Sequence, residues 1–188
     1  MTQKKKSKKP GWKHIEKNIS KFDNARLIQM LRDLYHLSPE NKAFFFTRFS
    51  IGKDPLASYR RIIQNAMNPY LEDGETLEVE AGRDAIDRFE KAVNNPHAEA
   101  ELRILYVECG TNFMLSYGYT DEDLSEDILE MYHHAVETVL KLPLEQRDNL
   151  KTGLYEIMES AKALGWWYYD ALGDLYHEAF PDDSPREH

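Results

Sequence analysis

A single cysteine, Cys109, stands among 188 residues. No disulfide can form within the chain, and a zinc site built from several thiolates is excluded. No apolar run approaches the ~20 residues that a membrane-spanning helix needs. The charged amino-terminal stretch is not followed by an apolar segment, so it does not read as a secretory signal. Glycine-rich phosphate loops are missing: neither G-x-x-x-x-G-K-[S/T] nor G-x-G-x-x-G occurs. The nucleophile elbow G-x-S-x-G and the zinc-protease pattern H-E-x-x-H are missing as well. These absences remove the commonest motif-bearing enzyme classes. They leave the cytoplasm as the expected location and imply no cofactor.

What is present is ordinary for a folded protein: 41% hydrophobic, 30% charged and 12% aromatic residues. That excludes wholesale disorder, which goes with few aromatics and a poor apolar set, and the length fits one domain. The net charge of −9 conceals an asymmetry. Residues 1–21 hold eight lysines against the lone acid Glu16, leaving 16 basic and 32 acidic residues beyond them, a net of −16. An acidic body of this kind repels nucleic acid and anionic membranes, whereas its basic tail could touch either.

Along the chain, residues 1–10 read as a disordered basic arm and residues 181–188 as a flexible tail, with an all-helical domain over residues 11–180 between them. Asp23 is placed to cap a helix striped by Leu27, Ile28, Leu31, Leu34 and Tyr35. Ser38-Pro39-Glu40 gives a second start signal, with Ser at the N-cap, Pro at the first helical position and an acid in the first turn. The helix it opens is strongly aromatic, with Phe44, Phe45, Phe46 and Phe49. Asp54-Pro55 opens a third helix carrying Tyr59, Ile62, Ile63 and Met67, which Asn68-Pro69 stops. Residues 68–81 form the one long irregular, acidic stretch, with Gly74 inside it.

A short helix is expected from about 83 to 94. Asn95-Pro96 opens a longer one striped by Leu102, Leu105, Tyr106, Cys109, Phe113 and Tyr117 and ended by Gly118. Thr120 with Asp123 resembles a capping box for the next helix, which stops before Pro143. The last helical region spans about 144–179, with Gly165 either kinking it or dividing it. Only a few residues around Thr76 and Glu80 alternate with the period of a strand. The expected fold is all-α: seven to eight antiparallel helices, as a compact bundle or a short superhelix of helical hairpins.

The segment Asp33-Leu34-Tyr35-His36-Leu37-Ser38-Pro39-Glu40-Asn41-Lys42, within residues 24–48, resembles the opening of a bacterial family of small all-helical proteins of unknown function. Tyr106-Val107-Glu108-Cys109-Gly110-Thr111-Asn112-Phe113 and the later Gly165-Trp166 segment are similar to its later landmarks. The resemblance covers residues 24–180. It implies an all-helical fold and carries no catalytic or binding residues across.

Three features could carry function. Glu130-x-x-His133 places a carboxylate and an imidazole one helical turn apart, the spacing of di-iron carboxylate bundles. Asp174-x-x-His177 repeats it, Glu108 could bridge, and Glu156 or Glu159 could supply a fourth ligand. Against this metal reading, such pairs arise easily among 33 acids and seven histidines as solvated surface pairs. The second feature is Trp166-Trp167-Tyr168-Tyr169. Four consecutive aromatics point all round a helix. With Trp166 and Tyr169 assigned to the core alongside Leu172, Trp167 or Tyr168 is left to contact a partner. The third is the arm, where Lys4, Lys5, Lys6, Lys8 and Lys9 could hold nucleic-acid phosphates without reading sequence. Cys109, on an apolar stripe beside Glu108, reads as a buried hydrophobe. The leading expectation is a non-enzymatic adaptor or accessory protein that binds a protein partner or itself, with no membrane partner. A nucleic-acid accessory protein is the alternative, and a helical-bundle metalloprotein the second alternative.

Overall fold

The computed structural model describes residues 11–118 and 121–181. Among them it shows nine α-helices and no strand: α1 (Trp12–Ile19), α2 (Asn24–Leu37), α3 (Pro39–Arg48), α4 (Ala57–Met67), α5 (Val79–Ala92), α6 (Pro96–Tyr117), α7 (Glu122–Leu140), α8 (Asp148–Ser160) and α9 (Trp166–Ala179). Single 3₁₀ turns lie at Leu71–Asp73, Leu144–Gln146 and Ala161–Leu164. The all-α class is as expected, with one helix more than the upper count. No helix among the described residues is long and apolar enough to cross a membrane.

The expected start signals operate through local hydrogen bonds. Asp23 Oδ1 accepts from the Arg26 N–H (2.8 Å), Ser38 Oγ from Asn41 (3.2 Å) and Asn95 Oδ1 from Ala98 (3.2 Å). Each satisfies one donor that the first turn of a helix leaves without a partner. The cap of α7 is Asp121, whose Oδ1 accepts from Leu124 (3.0 Å). That corrects the box expected at Thr120, itself outside the described residues. Gly118 ends α6 at φ +62°, where an L side chain would be strained.

The chain divides into two units, Met1–Phe46 and Thr47–His188, with the boundary inside α3. In the second unit α6 is the organising element, packing against α4, α5, α7 and α8. It buries Ala100, Leu102, Tyr106, Val107, Cys109, Thr111, Phe113 and Met114 over roughly two thirds of its circumference, and leaves Glu108, Asn112 and Ser116 along one exposed strip. A helix with so wide a buried arc belongs at the centre of a layered stack. The expected stripe was too narrow: Leu105 and Tyr117 are only partly buried, whereas Val107 and Met114 are core.

Two glycines let α6 approach its neighbours. A Cβ on Gly110 would lie 2.6 Å from Ile128 Cδ1 of α7, and one on Gly82 of α5 would lie 2.8 Å from the Tyr106 ring. The 68–81 stretch is tied down at both ends. Tyr117 donates to the Glu72 carboxylate (2.8 Å), and the Glu78 N–H donates to the Ala66 carbonyl (2.9 Å). Helix α5 therefore starts at Val79, four residues earlier than expected. Gly165, at φ +110°, divides the last region into α8 and α9 instead of kinking one helix.

In the first unit Tyr35 of α2 meets the Phe45 and Phe46 rings of α3 edge-on, at 6.1 and 5.9 Å. Asn41 Nδ2 donates to the Leu34 carbonyl (2.7 Å). Neither α1 nor α2 buries a residue. Ile28, Leu31 and Leu34, expected in a core stripe, are exposed, Ile28 at 58%. The period of α2 was legible, but no element of its own unit covers that face.

The Gly82 contact is testable. Tyr106 is a rigid ring, fully buried and anchored at its hydroxyl, so it cannot retreat from an added methyl group. Overpacking costs roughly 1–3 kcal/mol, against a helix-propensity gain of up to about 1 kcal/mol for Gly→Ala. Gly82→Ala is therefore expected to lower the thermal unfolding midpoint by a few degrees, measured by circular dichroism.

Candidate functional site

The aromatic run opens α9 directly after Gly165. Trp166 and Trp167 are 85% and 56% exposed, whereas Tyr168 is 3% exposed. The Tyr168 hydroxyl lies 3.1 Å from Thr111 Oγ1 of α6. Burial raises the Tyr168 phenol above its usual range. The expected assignment of Tyr168 to partner contact is therefore corrected, as is that of Trp166 to the core. Tyr168, Leu172 and Tyr176, spaced by four, form the stripe that enters the core. That phase turns Trp166 outward and leaves Tyr169 half-buried.

On the outer side of α9 the two indoles are followed by Asp170, Asp174 and Glu178, all exposed. At 100° per residue, positions 166, 167, 170, 174 and 178 fall within about one third of the helix circumference. Like charges four residues apart repel mildly along the helix, so a cation placed against this face relieves repulsion as well as gaining attraction. Indole faces are also the strongest aromatic hosts for Lys or Arg.

The carboxylate–histidine set is not assembled. Among the described residues no group of three His, Cys, Asp or Glu side chains is arranged to hold a metal ion. Glu130 turns away from His133 and pairs with Arg83 of α5. The helical neighbours pair in other combinations: His133 with Glu137 (4.0 Å), and His134 with Glu130 (3.9 Å) and Glu137 (3.6 Å). The two imidazoles stack at 5.9 Å. Glu108 and Glu156 line a shallow cavity of about 180 Å³ between α6 and α8, together with Asn112, Gly153 and Ser160. Asp174 belongs to the exposed face of α9, with His177 on the same helix. Glu130, His133 and Asp174 lie on solvated faces, and Arg83 engages the carboxylate that mattered most to the set.

Arg83 is the residue that sequence reading missed. Its Nε stands 2.5 Å from Asp127 Oδ1 of α7, as an ion pair without hydrogen-bond alignment, while Nη2 reaches Glu130. Asp127 also accepts from the Tyr106 hydroxyl of α6. The network joins α5, α6 and α7. Burial first, and then the Asp127 hydrogen bond, raise the Tyr106 phenol. The Arg83 hydrogen bond, and then its charge, hold Glu130 below the usual carboxylate range. No local signal could reveal this, because Arg83, Tyr106 and Asp127 lie more than twenty residues apart in sequence.

Cys109 is buried, and burial with the neighbouring Glu108 pushes its thiol up to about 12. Lys4, Lys5, Lys6, Lys8 and Lys9 lie outside the described residues. Comparisons with protein-family models, with curated proteins and with solved structures return no match.

Two outcomes follow. Cys109 should resist iodoacetamide at mildly alkaline pH in the native protein and react fully once the chain is denatured, read by mass spectrometry. Arg83→Met strands Asp127 in a mostly buried position, and should cost on the order of 2–3 kcal/mol, below the figure for a fully buried pair. Glu130 has a lowered folded-state pKa, so its share of the pairing is present above the ordinary carboxylate range. That share is lost as pH falls through the lowered value. The variant should therefore lose part of its acid-side pH dependence in denaturant titrations.

Proposed function

We propose that the chain is a non-enzymatic interaction protein that docks a basic protein segment on the outer face of α9. The carrying observation is the pair of exposed indoles, Trp166 and Trp167, beside the ladder of Asp170, Asp174 and Glu178. Indole is expensive to leave in water and is enriched among the few residues that dominate binding energy at interfaces. The carboxylates select for cationic partners and speed their encounter. Residues 47–188 carry a net −16, which adds long-range attraction for the same class of partner.

The test is affinity capture of the tagged full-length protein from native lysate, with and without nuclease, beside the Trp166→Ala/Trp167→Ala variant. The expected result is one defined basic protein recovered in both nuclease conditions and lost from the variant. Exposed substitutions should leave the unfolding free energy within about 0.5 kcal/mol. Tyr168→Ala, which empties a core position, should by contrast cost about 3–5 kcal/mol. Equal recovery by the double variant would contradict the proposal. Recovery that disappears with nuclease would transfer the function to nucleic acid and the lysine arm.

A further inference from the structure

Helix α1 presents two chemically opposite sides, and both are open to solvent. Trp12, Ile15 and Ile19, at spacings of three and four, share one side, and Phe22 follows in the turn beyond. Trp12 is 66% and Ile15 52% exposed. Ile19 is partly buried. Lys13 and Lys17, four apart, occupy the opposite side, Lys21 follows in the turn beyond, and all three lysines are exposed. Within residues 12–22 the only acid is Glu16, and five more lysines precede the helix in sequence. Residues 1–46 together carry a net +7.

A flat protein surface or a nucleic acid touches one side of a helix at a time. Phosphates along a duplex would engage the lysines and leave the Trp12–Ile15–Ile19 side in water. An apolar protein groove would cover that side and answer the lysines only if its rims carried acids of their own. The interface of an anionic bilayer meets both. A helix lying in its plane sinks its apolar side to the acyl boundary, while the headgroup phosphates stand level with its polar side. A Trp at the end of the apolar side suits that depth, because indole favours the boundary between hydrocarbon and water. We propose that α1 is an in-plane anchor that binds the surface of a bilayer containing anionic lipid.

Helix α2 has an equally open apolar side but does not share this character. Its polar residues mix Arg26 and Arg32 with Asp33, and its cap is Asp23. The sequence set a membrane partner aside, and no helix among the described residues is long and apolar enough to cross one. An in-plane helix needs no crossing length. The anchor lies in the first unit and is independent of the docking face on α9.

The experiment is flotation of the full-length protein with vesicles of phosphatidylcholine alone and of phosphatidylcholine mixed with phosphatidylserine. Binding is expected to the mixed vesicles, little to the neutral ones, and release at high salt. Trp12→Ser/Ile15→Ser should weaken binding about tenfold or more through lost apolar burial. Lys13→Gln/Lys17→Gln/Lys21→Gln should weaken it about a hundredfold. Because α1 buries no residue, both variants should keep the parent melting curve. In a Trp166→Phe/Trp167→Phe background, Trp12 is the last of three tryptophans, and its emission should shift to the blue on binding. Equal binding to neutral vesicles would overturn the proposal. So would full binding by Trp12→Ser/Ile15→Ser, which would leave the lysines acting alone. Stronger binding to duplex DNA that the same double variant leaves unchanged would assign the lysines to nucleic acid.

Discussion

The exclusion of water from most of the circumference of α6 is the constraint on which the second unit depends. Leu102, Tyr106, Val107, Phe113 and Met114 spread over a wide arc around one axis, and all of that arc must be covered, with only the strip of Glu108, Asn112 and Ser116 left to solvent. Helices α4, α5, α7 and α8 do this, and α9 contributes Tyr168 to Thr111. Burying a large apolar side chain is worth about 1.5–3 kcal/mol, so no arrangement that leaves part of this apolar arc wet can compete. The glycines at 82 and 110 are placed where this demand brings helices closest. The Arg83–Asp127–Tyr106 network is its polar counterpart, since a phenol drawn into the centre requires an acceptor and that acceptor requires a cation.

The same constraint sets what remains outside. Once Tyr168, Leu172 and Tyr176 are committed to the core, helix geometry turns Trp166 and Trp167 outward and sets the ladder of Asp170, Asp174 and Glu178 beside them. The docking face on α9 is thus a by-product of the core phase. The first unit has no comparable centre: Tyr35 against Phe45 and Phe46 is its main cluster, and α1 and α2 bury nothing. A helical unit with so much apolar surface in water has the character of a contact element. The opposite charges of the two units, +7 and −16, suit them to different surroundings.

Features fixed by neighbours in sequence were legible in advance. The caps at Asp23, Ser38 and Asn95, the stop at Gly118 and the all-helical class all follow from interactions spanning three or four residues. What failed required knowledge of the fold. Four aromatics in a row leave the phase of α9 open, and its choice depended on Thr111, more than fifty residues away. The stripe of α2 was seen, yet its periodicity could not say whether anything covers it. The Glu130–His133 pair looked suited to a metal until Arg83 arrived from another helix. Helix α1 escaped notice among the lysines, although its Trp12–Ile15–Ile19 spacing was there to read.

The claim that α6, covered over most of its circumference, anchors the second unit, while α1 and α2 stand open, is tested most directly by native-state hydrogen exchange of the full chain followed by mass spectrometry. Amides of α6 and of the facing side of α7 should exchange only through global unfolding, at the free energy measured with denaturant. Those of α1 and α2 should exchange through far smaller local openings. Protection in α2 equal to that in α6 would contradict the account, because it would mean that the exposed apolar side of α2 is already covered in solution.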